Sequence, residues 1–189
     1  MRKSVRIRPE QPGDIEAIAR LTELSFRNHP HSNHTEHLVI GKLRDCGALA
    51  VSLVAEAGKQ VVGHIAFSPV QVADGSRKWY ALGPVCVASA FRKRGIGRAL
   101  VDAGIAALRG LGAEGCVLMG EAGFYERFGF RHYPECFPDG VSPEYLKYFL
   151  VLPLGGQVVA GKVSHHAAFN TAPQNCVVRQ GWTRKMAGL

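Results

Sequence analysis

The chain opens with apolar and charged positions in alternation. Val5-Arg6-Ile7-Arg8 has the period of a half-exposed strand. Pro9-Glu10-Gln11-Pro12-Gly13 breaks that strand, and Asp14 is placed to cap a helix. Ile15, Ile18, Ala19, Leu21, Thr22 and Phe26 give the helix an apolar face as far as Asn28-His29-Pro30. Glu36 to Arg44 predicts a second helix. The period then drops to two. Leu49 to Ala55 and Gln60 to Phe67 read as strands joined by a Gly58-Lys59 hairpin. Pro69 predicts a bulge or an edge before Val70 to Val72. After the Asp74-Gly75 turn, Trp79 leads into an apolar run from Ala81 to Val87 that looks like a buried strand. Ile96, Leu100, Ala103, Ala107 and Leu111 lie near one face of a third helix, and Cys116 to Met119 forms the next strand. A long loop with Pro138, Asp139-Gly140 and Pro143 precedes a strand from Leu146 to Leu152 and a further one from Gly161 to Phe169. Asn170 to Leu189 has no clear period and no acid. The expected organisation is one domain over residues 1–169 and a loosely docked or disordered tail over 170–189.

Composition changes this picture in only a few respects. With 189 residues, 47% hydrophobic and 20% charged, the chain can bury a core without staples. No apolar run is long enough to span a bilayer, and the basic start, Met1-Arg2-Lys3-Ser4-Val5-Arg6, lacks the apolar core of a signal peptide. The five cysteines, Cys46, Cys86, Cys116, Cys136 and Cys176, are scattered and include no CxxC pair. Reduced thiols and a cytoplasmic location are therefore expected. The net charge of +8 is partly concentrated at Arg92, Lys93, Arg94 and Arg98. Nucleic acid is one explanation of that charge, but no helix-turn-helix, RNA-binding aromatic motif or zinc finger supports it.

A polyanionic ligand is the other explanation. The stretch Arg92-Lys93-Arg94-Gly95-Ile96-Gly97-Arg98 lies between an apolar strand and a helix. The free N–H groups of the first helical turn and the helix dipole make such a place an anion site. Gly95 and Gly97 let backbone approach a phosphate without a Cβ in the way. No GxxxxGK(S/T) pattern occurs, and Gly95-Ile96-Gly97-Arg98-Ala99-Leu100 lacks the third glycine of a dinucleotide fingerprint. What remains, Arg92-x-x-Gly95-x-Gly97 after a strand, resembles the acetyl-coenzyme A loop of the GNAT superfamily of N-acetyltransferases. Downstream, Phe124-Tyr125-Glu126-Arg127-Phe128-Gly129-Phe130 is similar to that family's Tyr-x-x-x-Gly-Phe segment. The stretch Val62-Gly63-His64-Ile65-Ala66-Phe67-Ser68-Pro69-Val70 is similar to one in a branch of small bacterial GNAT proteins.

The resemblance implies an α/β GNAT fold, in which a mixed central sheet with splayed parallel strands is flanked by helices. It implies acetyl-coenzyme A as cosubstrate, no metal, and acetyl transfer to an amine of a small molecule or protein by direct attack. Lys93 to Arg98 then supply backbone donors to the pyrophosphate, with Arg92 beside them. Val85, Cys86 and Val87 pair with the pantetheine arm, and a backbone N–H near Val85 meets the thioester carbonyl. Tyr125 matches the family's general acid; its bland alternative is a core tyrosine. Phe124 stands where relatives often carry another tyrosine. Glu121 is the candidate base, with Glu56 as fallback and an ordinary solvated carboxylate as the competing reading of both. The loop around His29, His31, His34 and His37 borders the acceptor cleft by the same resemblance. Those histidines have no cysteine or carboxylate cluster to complete a metal site. Cys86 reads as a small buried hydrophobe rather than a nucleophile. His64 reads equally well as a packed strand residue or a functional one. A coenzyme A-binding sensor without catalysis is the alternative function. The acceptor's identity and a homodimer stay open.

Overall fold

The computed structural model describes residues 4–28, 32 and 34–170. The stretch read as a tail lies outside them apart from Asn170, as do His29 and His31. In chain order the elements are β1 (Val5–Pro9), α1 (Ile15–Phe26), α2 (Glu36–Asp45), β2 (Val51–Ala57), β3 (Gln60–Val72) and β4 (Trp79–Val87). There follow α3 (Ile96–Gly110), β5 (Gly115–Met119), the short α4 (Ala122–Tyr125), β6 (Cys136–Pro138), β7 (Phe149–Pro153) and β8 (Gly161–His165). The main sheet runs β1-β2-β3-β4-β5-β7; β8 extends the far end of β3, and β6 pairs with β8. Among the described residues only β4–β5 and β6–β8 are parallel. No helix among the described residues is long and apolar enough to cross a membrane.

Each sheet face has its own apolar layer. On one, the buried stripe Leu100, Val101, Ile105 and Leu108 of α3 packs against Leu53, Ala55, Ile65, Phe67 and Leu82. Each such side chain contributes roughly 1.5–3 kcal/mol when fully buried. On the other, Ile18 of α1 and Ile40 of α2 cover Val54. Farther along that face, Trp79, Val117, Phe149 and Val163 form a separate cluster under the β6–β8 pair.

Three local expectations need correcting. Of the two expectations for Pro69 the edge holds and the bulge does not: β3 is one thirteen-residue strand, and Pro69 sits where the β2 pairing has ended and the β8 pairing has not begun. A missing N–H costs nothing to either ladder at that point. The bulge is on β4 instead, where Gly83 and Pro84 oppose Ala66 alone, because Ile65 pairs with Val85 and Phe67 with Leu82. Asp14 occupies the N-cap position of α1 but makes no side-chain cap. Its carboxylate accepts two bonds from Arg8, at 2.6 and 2.9 Å, and one from the Gln11 N–H at 2.8 Å. In the third case the two late strands are shorter than predicted. Residues Pro143–Tyr148 form a 3-10 turn before β7, and Ala167–Phe169 another after β8, while β6 arises inside the predicted long loop.

Helix α3 carries the glycine loop, so its seating matters to the site. Gly104 lies so close to the sheet that a Cβ would fall 2.4 Å from Phe67 Cε2. Phe67 is fully buried and has no room to withdraw. Gly104→Ala is expected to lower stability by about 1–3 kcal/mol despite the better helix propensity of alanine. Urea unfolding measures this, and an unchanged or raised midpoint would contradict the close approach.

Candidate active site

The parallel pairing of β4 with β5 covers only Trp79–Gly115, Tyr80–Cys116 and Ala81–Val117. Beyond Ala81, β4 continues to Val87 without a strand partner on that side. Met119 and Leu118 stay with β7. The two strands therefore splay, and a cleft of about 890 Å³ opens at their ends. Val85, Cys86 and Val87 form its β4 wall. The glycine loop closes one end, Phe124 and Arg127 stand after β5, and the last turn of α1, from Leu24 to Phe26, faces them.

The loop is built as the sequence predicts. Gly95 is the N-cap of α3 with φ 79°, a conformation that favours glycine. Lys93 is also left-handed, at φ 59°. The Ala99 N–H donates to Gly95 O at 2.9 Å, so the preceding N–H groups of Ile96, Gly97 and Arg98 remain free, as at any helix start. A Cβ on Gly97 would rest against Phe124 and Val87 at 3.8 Å, an ordinary contact, while one on Gly95 would meet nothing within 4 Å. Arg92 Nε donates to Val87 O at 3.1 Å and ties the loop to the end of β4. Arg92, Lys93, Gly95, Ile96, Gly97 and Arg98 all line the cleft. Arg94 does not: its guanidinium lies 5.2 Å from the centre of the Phe91 ring.

The candidate acid and bases fall in different places. Tyr125 is 9% exposed, with its ring edge-on to Phe124 and Phe130 at 4.9 and 5.9 Å. Gly120 admits that ring, since a Cβ there would be 2.5 Å from Tyr125 Cε2. Burial, with Cys116 nearby, pushes the phenol pKa up to about 12. Phe124, not Tyr125, forms the cleft wall. Glu121 is the exposed N-cap of α4 and does not line the cleft. Glu56 is held by Arg8 at 2.9 Å and Arg6 at 3.1 Å, and the Arg8 hydrogen bond keeps its carboxyl below the usual range. That ion-paired position beside β1 removes it as a cleft base. Cys86 is buried, and its Sγ lies 3.7 Å from Thr22 Oγ1; burial lifts the thiol pKa to about 11. Such a thiol is a poor nucleophile. His34 Nδ1 lies 3.2 Å from Phe26 O. Among the described residues no group of three or more His, Cys, Asp or Glu gathers to hold a metal.

Sequence reasoning missed Leu24, Ser25 and Phe26 as cleft residues. Their only sequence signal is position, on the last turn of α1 before the histidine loop. Arg127 belongs to the second motif, whose resemblance gives it no place in the cleft. It lies 5.3 Å over the Phe124 ring and donates to Gly123 O at 3.1 Å.

Comparison with known proteins gives this architecture a family. The model of the acetyltransferase (GNAT) family matches residues 15–130. The uncharacterized N-acetyltransferase YhbS of Escherichia coli K12 is 33% identical over 170 residues, covering 87% of this chain and 98% of its own. A GNAT acetyltransferase from Brucella melitensis, solved in complex with acetyl-CoA, is 43% identical, with a TM-score of 0.78 over 88% of this chain and 99% of its own. Escherichia coli YhbS solved with CoA gives 32% identity and a TM-score of 0.79 over 88% of this chain and 92% of its own. The splayed sheet, the glycine loop at the start of α3 and these matches together make the chain a member of the GNAT family of acetyltransferases.

Proposed function

We propose that the cleft binds acetyl-coenzyme A and that the enzyme transfers the acetyl group to an amine by direct attack. The observation that carries this reading is the run of free N–H groups on Ile96, Gly97 and Arg98, opening on a cleft whose other wall is the unpaired edge of β4. A pyrophosphate needs the first, and a peptide-like pantetheine arm needs the second. Arg92, Lys93, Arg98 and Arg127 surround the same space with positive charge. The complexes of the Brucella melitensis and Escherichia coli relatives with acetyl-CoA and CoA support the same ligand.

In this mechanism the arm lies along Val85 to Val87, and the thioester carbonyl meets a backbone N–H near Val85. That donor stabilises the oxyanion as the amine attacks. The C–N bond forms, the C–S bond breaks, and the thiolate takes a proton from Tyr125 through water, since Phe124 and not Tyr125 lines the cleft; the proton shed by the acetylated nitrogen restores the phenol. The Tyr125 phenol carries its proton at neutral pH, and burial raises its pKa further, to about 12. Its ring is packed between Phe124 and Phe130, which holds the phenol oxygen in place. Glu121 remains a candidate base only through intervening water, since it stands outside the cleft lining.

Two substitutions test the reading. Gly95→Asp should abolish acetyl-coenzyme A binding with the fold intact. Aspartate tolerates the left-handed backbone, but its charge opposes the pyrophosphate at a helix N-terminus. Calorimetry on the folded variant that found wild-type affinity would sink the loop's role. Tyr125→Phe keeps the ring's packing and removes the hydroxyl. Acetyl-coenzyme A affinity should stay normal while turnover falls roughly 10²-fold or more, and the deficit should shrink with an acyl donor whose thiol leaves without protonation. Wild-type turnover in that variant would take Tyr125 out of the mechanism.

A further inference from the structure

Two arginines beside the cleft lie over aromatic rings, Arg94 just before Gly95 and Arg127 after β5. The Arg94 guanidinium is 5.2 Å from the centre of the Phe91 ring, and that of Arg127 is 5.3 Å from the centre of the Phe124 ring. Both rings line the cleft, but of the two arginines only Arg127 does. Its Nη2 donates to Gly123 O at 3.1 Å, which leaves most of its N–H donors unused. Ring and carbonyl together set the plane of the guanidinium, so less rotamer freedom is lost when it meets a ligand.

The charge of Arg127 is uncompensated. Among the described residues it makes no ion pair, whereas Arg98 on the facing helix lies 3.6 Å from Asp102. Arg6, Arg8 and Arg44, away from the cleft, each hold a carboxylate as well. A planar fork with spare donors and no carboxylate partner, turned into a cleft, suits a phosphate.

The backbone fixes which phosphate. The Ala88 N–H donates to Val62 O at 2.8 Å, and the register continues as Gly63–Val87, His64–Cys86 and Ile65–Val85. Hydrogen-bonded pairs alternate along an antiparallel ladder, so the N–H and C=O groups of Val85 and Val87 turn away from β3, to the open edge. Arg92 Nε already meets Val87 O on that side. A pantetheine arm on this edge, with its thioester at Val85, brings the pyrophosphate past Val87 to the free N–H groups of Ile96, Gly97 and Arg98. Phe124 adjoins that same turn, since a Cβ on Gly97 would rest 3.8 Å from Phe124 Cζ, and Arg127 lies over the Phe124 ring. The ligand's next group beyond the pyrophosphate is the ribose, whose 3′-phosphate carries a charge of about −1.5 to −2 near pH 7.

We propose that Arg127 binds the 3′-phosphate of the nucleotide and makes the cleft selective for coenzyme A over its 3′-dephospho form. The inference rests on the reading of the cleft as an acetyl-coenzyme A site. The pyrophosphate has its own donors in the first turn of α3, and the 3′-phosphate has none there. Phe124 serves as the platform that holds the guanidinium at the required place. Arg94, stacked in the same way but turned out of the cleft, takes no part.

The test is calorimetry of the full chain with coenzyme A and with 3′-dephospho-coenzyme A, for wild type, Arg127→Gln, Arg127→Lys and Arg94→Gln. The two ligands share the arm and the pyrophosphate, so the ratio of their dissociation constants isolates the 3′-phosphate. Wild type should bind the dephospho ligand about 10-fold more weakly or worse. Arg127→Gln should weaken coenzyme A by about 10-fold, leave the dephospho ligand within about two-fold, and bring the ratio close to unity. Lysine keeps the charge but not the fork, so Arg127→Lys should retain only part of the ratio. Arg94→Gln removes the same charge from the other stack and should keep the ratio within about two-fold of wild type. An equal loss for both ligands in Arg127→Gln would put Arg127 on the pyrophosphate and overturn the inference. So would a wild type without preference, which needs no variant to fold, or an Arg94→Gln ratio that collapses as far as that of Arg127→Gln, the mark of a general field. A wild type that binds neither ligand would overturn the cofactor reading itself, and the selectivity falls with it.

Discussion

The site depends on a sheet that stops being a sheet. β4 and β5 hold parallel register through Ala81 and Val117 and no farther. Had the ladder continued to Val87, the backbone groups that now face the cleft would be consumed in pairing, and no space would exist between the strands. Two features keep them apart. The bulge at Gly83 and Pro84 bends β4 at the point of departure. On its other edge β5 follows β7 along its whole length, from Gly115–Pro153 to Met119–Phe149, which fixes the direction β5 takes. The family's chemistry follows from that geometry, because it sets a helix N-terminus beside an open strand edge.

Around the cleft, the rest of the molecule acts as a frame. α3 is pressed on the sheet closely enough to need Gly104, and Arg92 pins the loop to Val87. On the opposite face, α1 brings its last turn to the cleft and touches Cys86 through Thr22. The Arg44–Glu10 ion pair fastens α2 to the turn between β1 and α1, and Arg8 joins Asp14 to Glu56. These pairs are half-buried, and their hydrogen bonds leave few lone pairs unused, the condition under which such pairs hold a structure in one register.

How far the sequence foretold this differs from residue to residue. Arg92-x-x-Gly95-x-Gly97 was legible because strand, turn and helix are consecutive, and all the needed geometry is local. The apolar stripe of α3 and the hairpin at Gly58 were legible for the same reason. What escaped was long-range. Glu56 looked free for chemistry, but β1 pairs with β2 so that Arg6 stands directly opposite it. Arg94 looked like a cofactor ligand by adjacency, yet the left-handed turn at Lys93 sends it to Phe91. β6 has only three residues and exists because β8 lies beside it. The hydrogen bonds that run from His64 through Ser52 and Glu10 to Arg44 join residues far apart in sequence with no period between them, and only the folded sheet brings them into line.

The central claim is that the splayed edge of β4 and the first turn of α3 hold one ligand together. Amide shifts of the 15N-labelled chain during titration with acetyl-coenzyme A test it most directly. The account predicts that the largest changes fall jointly on Ile96, Gly97 and Arg98 and on Val85 and Val87, saturating with a single affinity. Changes confined to one of the two sets, or absent from both, would contradict it.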